Sequence, residues 1–591
     1  MVLLLYFLSQ KQHMIKPQQI ILLLFFICLA LFSCSNKTDF EIKNDKIRSL
    51  IKIGSDSINA QTYFPDKDVR NYLHGEFDDF YKEREYNLAW LNFEEPEKQA
   101  DELLEALDNA AENGLKPENY DTKEIEELLS SIYNIESQKL RRKKWRRKLI
   151  KTKKFKEKMR EEDTVRFKDI AQLDFLLTAS YLTYSSHLLS GRIDPNEKEE
   201  WFAPRRKKDL SEHLAKAIKQ NEIKESLKEL EPSHKQYALL RDYLVYLRQA
   251  LGNDIPEIGQ PLQANDQGYE VVKAKKRLAL WKNTDINLED STVYDKSTTE
   301  AVKRFQTING LEPTGEIDQK TLALLNMPLF YWIDKIETNM ERMRWLQQDF
   351  GDQYILVNIP AYELKVMRKN KAELSMKVIV GTNYKKTPVF SDTLEYVVFN
   401  PTWTVPTEIA IEEMLPRIKK EKDYLESRNL QLYDGWSINS EQLKQKDVDW
   451  DDIDSTNWTF RIVEAPGPTN SLGRIKFMMP NSQFIYLHDT PAHHLFYRKE
   501  RTFSHGCIRV EKPLELAEYV LDWDRKKINK YIDSEKTQNV ILDEEIPVHI
   551  VYWSAWVDEN GLINFREDIY HHDQTHQEKI RLKEKIIAYA E

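Results

Sequence analysis

Ile485-Tyr486-Leu487-His488-Asp489-Thr490 and, with fifteen residues between His488 and Ser504, Ser504-His505-Gly506-Cys507-Ile508-Arg509-Val510 decide how this chain is read. The first stretch predicts a strand that ends on a histidine. The second brings a cysteine into a turn, and a helix is predicted after it over Leu514–Trp523. An unperturbed thiol, with a pKa near about 8.5, is mostly protonated at neutral pH and needs help to act as a nucleophile. A nearby imidazole and a following helix N-terminus would each favour the thiolate. Gly506 lets backbone amides approach a reacting carbonyl, and the amides of Gly506 and Cys507 are expected to form an oxyanion hole. The bland alternative is a buried structural cysteine beside a core histidine.

Cysteine usage sharpens the choice. The run Ile20 to Phe32 (IILLLFFICLALF) follows Lys16 and ends at Ser33-Cys34. A basic flank, a short apolar core and a small residue before the cut make an export signal, and the run is short for a spanning helix. Leu31-Phe32-Ser33-Cys34 resembles a lipobox, in which the cysteine is diacylated and becomes the mature N-terminus; an uncleaved anchor or plain signal peptide is the alternative. Of three cysteines, Cys28 lies in the signal core and Cys34 is the expected lipidation site. Cys507 is then the lone thiol of the mature body. In an oxidising compartment it has no disulfide partner, so it is either inert or kept for its reactivity.

The whole chain bounds the answer further. Its 591 residues exceed one core, and 31% charged residues exclude a multi-span membrane protein. A net charge of −10 argues against nucleic-acid binding, and with 16 glycines there is neither a P-loop nor a dinucleotide fingerprint. Residues 35–66 read as a polar tether. Residues 67–251 are helical in pattern, as in Lys98–Asn113. Within them Lys139–Arg160 holds 14 Lys or Arg, with Trp145, Leu149 and Phe155 interleaved. This stretch reads as a solvated insertion, with a surface helix on anionic lipid as the alternative. Residues 268–329 form a small three-helix unit punctuated by glycine turns, and 330–350 a connecting helix. From 351 to 545 short β-branched runs predict a mainly β domain, interrupted at about 408–454 by charged, helix-like sequence. Residues 546–591 are a strand and helix extension. The fold class is multidomain α+β.

Residues 354–523 resemble the L,D-transpeptidase catalytic domain. That family's signature is a histidine, about fifteen residues, then Ser/Thr-His-Gly-Cys, an apolar residue and Arg or Asn. Gly381 with Thr387-Pro388, Asn400 to Pro406, Ala465 to Pro468 and Asn470 to Gly473 agree with it. The chain is similar to large Gram-negative members, which carry a helical scaffold, a peptidoglycan-binding-like module and a helical lid in the catalytic domain. Phe80-Tyr81, Ala89-Trp90-Leu91 and Ser190 to Pro195 carry the scaffold resemblance. The resemblance implies that Cys507 is the nucleophile and His488 the base, with the Asp489 carbonyl orienting His488. Ser504, His505 and Gly506 would support them, and His505 ranks below His488 as base. Arg509, Tyr486 and Asn470 would bind substrate. The partner would be peptidoglycan stem peptides, the setting the periplasm, with a lipid anchor in what the family implies is the outer membrane. No metal or organic cofactor is implied.

The implied reaction is acyl transfer from a tetrapeptide stem, giving 3→3 cross-links. Water in place of the acceptor amine would make an L,D-carboxypeptidase, and a glycine or lipoprotein amine would make an attachment enzyme. A non-catalytic peptidoglycan-binding lipoprotein is the alternative of another class. Tyr570 to His576 (YHHDQTH) contains metal-ligand residue types, but reads as an exposed His-rich turn.

Overall fold

The computed structural model describes residues 39–590, apart from 58–59, 93–95, 134–152, 196–199, 204, 253–254, 282–285, 287–291 and 559. The export signal with Cys34, and much of the basic stretch 139–160, lie outside the described residues. No helix among the described residues is long and apolar enough to cross a membrane.

The tether expected over 35–66 is instead helical from Asp39 to Ser57. Ile47 and Ile51, one turn apart, are buried with Phe64 in the scaffold core. Two apolar residues on one face anchored a segment whose polar composition hid its period. The rest of that core comes from helices Arg70–Glu83, Lys98–Asp108, Thr122–Tyr133 and Lys153–Ser190. Buried Asp174 organises it, accepting from the Ala89 and Trp90 amides (both 3.0 Å) and the Tyr81 hydroxyl (2.7 Å). Burial raises its pKa to about 6 against those hydrogen bonds.

The helix Lys235–Gln249, expected in the scaffold, bonds to it through Tyr237, whose hydroxyl donates to Asn113 Oδ1 at 2.9 Å, and also shares a core with the three-helix module. That module has helices Tyr269–Leu278, Lys296–Ile308 and Gln319–Leu325. Asp295 and Asp318 cap the second and third, accepting from Thr298 N and Thr321 N at 2.8 Å.

The connecting helix Leu329–Trp345 is buried on nearly every side, charges included. Glu341 accepts from Ile193 N (3.2 Å), Arg192 Nε (3.3 Å) and Arg344 Nη1 (2.8 Å), and also from Arg192 N. Burial alone would raise its pKa, yet Arg192 and Arg344 hold it down at about 2. Gly191 fits because its φ is +78° and a Cβ would meet Glu341 Oε1 at 2.5 Å. The run Ser190 to Pro195 is thus a carboxylate clamp. Glu341→Gln leaves two guanidinium groups without their anion and should cost about 3–5 kcal/mol, read as a lower urea midpoint. An unchanged midpoint would show the clamp to be dispensable.

Most of the strands form a sheet that closes on itself. In chain order its strands are β1 (Trp201–Phe202, lent by the scaffold), β2 (Gln353–Asn358), β3 (Glu363–Arg368), β4 (Lys371–Gly381) and β5 (Val389–Phe399). An insertion carries β6 (Trp403–Thr404), β7 (Leu430–Tyr433), β8 (Gln442–Leu443) and β9 (Arg461–Glu464). Then come β10 (Ile475–Met478), β11 (Leu487–His488), β12 (Thr502–Ser504), β13 (Ile508–Val510) and β14 (Gln538–Val551). The order β5-β10-β11-β13-β4-β3-β2-β14 returns to β5, because β14 pairs with both β2 and β5. Closure leaves those strands no open edge. A domain boundary at 545 would fall inside β14.

The insertion expected as a helical lid is mixed. Short helical turns over 407–418 pack on the small sheet β6-β9-β7-β8, with a core that includes Ile409, Leu432, Trp450 and Phe460. After β14, the hairpin β15 (Ala555–Val557) and β16 (Ile563–Phe565) joins the core of the three-helix module. The tail expected as an exposed His-rich turn begins the helix His572–Ala590, with His572, Asp573 and His576 buried. Asp573 is committed to Lys335 (2.9 Å) and Arg342 (2.6 Å), charges that a distant helix supplies.

Candidate active site

Three neighbouring strands assemble the site. β10 runs antiparallel to β11 and sets Lys476 opposite His488; β11 runs parallel to β13 and sets His488 opposite Arg509. Residues two apart in a strand share a face. Tyr486 and Cys507, each two residues before that row, therefore face the same way as Lys476, His488 and Arg509. The ladder continues to them, since Ile508 N donates to Tyr486 O at 3.1 Å. Phe477, Leu487 and Ile508 point to the other face, into the core.

His488 is buried, and burial together with the positive charges of Arg509 and Lys476 lowers its pKa to about 3. The imidazole is therefore neutral. Its Nδ1 lies 2.6 Å from the Asp489 carbonyl, which can only accept a proton. Nδ1 thus carries the hydrogen and Nε2 keeps the lone pair. The Asp489 carboxylate accepts from Arg474 N (2.8 Å) and Thr490 N (2.7 Å). Gly473, with φ +62°, lets the preceding turn press against it, for a Cβ there would stand 2.3 Å from the carboxylate. Asn470, expected to bind substrate, is buried in that turn: its amide donates to Ala465 O (2.9 Å) and its Oδ1 accepts from Leu472 N (2.8 Å). It shapes the backbone.

Cys507 is partly exposed. Its Sγ lies 3.7 Å from the carbonyl of Phe484, a residue in the left-handed region with φ +56°. Burial pushes the thiol pKa up, and Tyr486, Lys476 and Arg509 oppose the shift. Burial, with Cys507 beside it, pushes the Tyr486 hydroxyl pKa well up. Strand β13 follows the cysteine directly, and the helix Pro513–Leu521 starts later. The expected helix N-terminus is therefore not at the thiol. The Gly506 amide, expected to help form an oxyanion hole, donates to Ser504 Oγ at 3.3 Å.

Residues 352–541 match the L,D-transpeptidase catalytic domain, 267–325 the "Putative peptidoglycan binding domain" and 75–244 a scaffold domain. A "Putative L,D-transpeptidase" of Haemophilus influenzae is 37% identical over 243 residues. The chain thus carries an L,D-transpeptidase catalytic domain behind a scaffold domain and a peptidoglycan-binding-type domain. The match covers 41% of this chain and 48% of that relative, so the chain spans about half the relative's length. Among solved structures, an L,D-transpeptidase from Stackebrandtia nassauensis is 14% identical over 50% of this chain and 97% of its own, with a TM-score of 0.20. One from Mycobacterium smegmatis is 11% identical over 34% and 58%, with a TM-score of 0.16. Likenesses this slight carry no argument.

Within the L,D-transpeptidase domain, distant residues hold the turn of Cys507. Ser504 Oγ donates to Cys507 O at 2.6 Å, and Thr387 Oγ1 donates to Gly506 O at 2.7 Å. Tyr570, from beyond the domain, donates to Gly381 O at 2.6 Å and accepts from Thr387 N at 3.3 Å. Asn481 ties the loop before β11, donating to Ile485 O (2.7 Å) and accepting from Ile485 N (3.1 Å). From the insertion, Glu413 Oε1 lies 2.5 Å from His505 Nε2, and Glu412 lies 3.9 Å from Lys385 Nζ. His505 thus meets the insertion. Lys476, Asn481, Tyr570 and Glu413 escape sequence reasoning. Only Lys476 leaves a trace there, as a lone cation between Ile475 and Phe477. A cleft of about 250 Å³ beside Asp349, Tyr354 and Trp553 contains none of these residues.

Proposed function

We propose that this protein is a periplasmic L,D-transpeptidase that makes 3→3 peptidoglycan cross-links through a Cys507 thioester. The observation that carries the reading is a neutral His488, with its free Nε2 fixed by the Asp489 carbonyl, on the same sheet face as Cys507. His488 takes the thiol proton as sulfur attacks the L-centre carbonyl of the stem's third residue. The C–N bond then breaks, His488 returns the proton to the leaving nitrogen, and D-alanine departs. An acceptor side-chain amine attacks the thioester, loses its proton through His488 and releases the Cys507 thiol. The site would act as a general base and general acid in turn. Mass spectrometry of muropeptides made by the purified protein tests this: cross-linked dimers joined 3→3 are expected. Stem tripeptides alone would instead mean hydrolysis.

The insertion acts as a lid over the donor site. Replacing 405–462 with a short linker should cost stem-peptide turnover roughly 10-fold or more beyond any loss in acylation by a small β-lactam. Equal losses would make it a support for the fold. Lipidation at Cys34 places the scaffold close to the membrane, since Asp39 already begins a helix of the scaffold. Cys34→Ala should release soluble protein that is active on isolated sacculi, whereas wild-type protein recovered soluble would refute the anchor.

A further inference from the structure

Several buried cations of this chain meet a carboxylate, as Lys275 does Asp295, Lys335 Asp573 and Arg344 Glu341, while Arg277 is held by backbone carbonyls. Lys476 and Arg509 stand together without a carboxylate. Among the described residues neither forms an ion pair: Lys476 Nζ rests 3.8 Å from the Tyr486 ring centroid, and Arg509 Nε is buried without a hydrogen-bond partner. Both flank His488 in one row of the sheet and share its face with Cys507. A cation drawn out of water without an anion is costly, and a site that tolerates two is built for an anion that arrives.

We propose that Lys476, with Arg509 beside it, is the receptor for the free α-carboxylate of the residue that leaves the donor stem. This rests on the acyl-transfer reading above. The leaving residue's carboxylate stands one residue, about 3.5 Å, beyond the attacked carbonyl, so a carboxylate held here brings that carbonyl to the nucleophile. A stem longer by one residue would offer a neutral amide at this point and its charge about 3.5 Å further out. The pair therefore measures stem length as well as charge. The resting thiol is a poor counter-ion, because burial favours its neutral form. Neutralising the two cations would also relieve the field that suppresses protonation of His488, so the base strengthens when donor binds.

The test uses full-length Cys507→Ala protein, which binds without turnover. Calorimetry compares a stem tetrapeptide ending in free D-alanine with the same peptide ending in a carboxamide. A charge-assisted contact predicts roughly 10- to 100-fold tighter binding of the acid. Adding Lys476→Met, which keeps the aliphatic stem over Tyr486, should shrink that preference to about 3-fold or less, and Lys476→Arg should restore most of it. Equal binding of acid and amide by the Cys507→Ala protein overturns the proposal, whatever the second substitution does to folding. So does a preference that Lys476→Met leaves intact. If Lys476→Met instead raises the pH at which iodoacetamide alkylates Cys507 while the preference stays, the lysine serves the thiolate and the assignment falls. A wild-type protein that prefers the acid yet releases no D-alanine would refute the acyl-transfer reading and leave the subsite standing.

Discussion

Cys507→Ala and Cys507→Ser should abolish acyl-enzyme formation and leave the fold intact. Cys507 is the free cysteine of the described residues, and it sits at the partly exposed start of β13. Replacing its sulfur removes little packing. A carbapenem, whose strained carbonyl acylates a thiol nucleophile, gives the direct readout. Intact-protein mass spectrometry should find one adduct on wild type and none on either variant, with unfolding midpoints unchanged. An adduct that persists in Cys507→Ala would sink the assignment of the nucleophile.

His488→Ala should slow acylation by about 10²- to 10⁴-fold, the usual contribution of a positioned base. His505→Ala should cost far less, because His505 is partly exposed and meets Glu413 of the insertion. A reversed order, with both variants folded, would exchange their roles. The pH dependence separates them independently. A base must be unprotonated to accept, and burial with the Arg509 and Lys476 charges lowers the His488 pKa to about 3. The competent form therefore persists as pH falls from 8 to 5, and β-lactam acylation should show no acid limb near the ordinary histidine value of about 6.5. A limb centred there would mean that the working imidazole is a solvated one.

Much of the site was legible because its chemistry is written in a short run. Cys507 and His488 could be placed from their own neighbourhoods, and the β-branched strands and three-helix unit from local period. What stayed hidden depends on pairing between distant segments. Lys476 joins the row only through the register of β10 with β11. Tyr570 reaches Gly381 from nearly two hundred positions away in sequence. Asp573 looked like part of a polar turn until Lys335 and Arg342 arrived on another helix. Composition misled at 39–57, where isolated apolar residues among charges still make a buried stripe. It misled again in the insertion, whose charged surface covers a small aromatic core.

The hairpin β15–β16 gives the chain an unusual order of completion. The three-helix module occupies 267–325, yet its core also takes Trp556, Val557, Ile563 and Phe565, which follow the whole catalytic sheet. In chain order the module comes before the closed sheet and its last wall comes after it, so the core cannot be completed until both have been made. It is therefore sewn to the enzyme at both ends. Recombination could not trade it as a cassette between proteins without carrying the hairpin along, and a protease that clipped the chain after β14 would unseat a unit more than two hundred residues upstream.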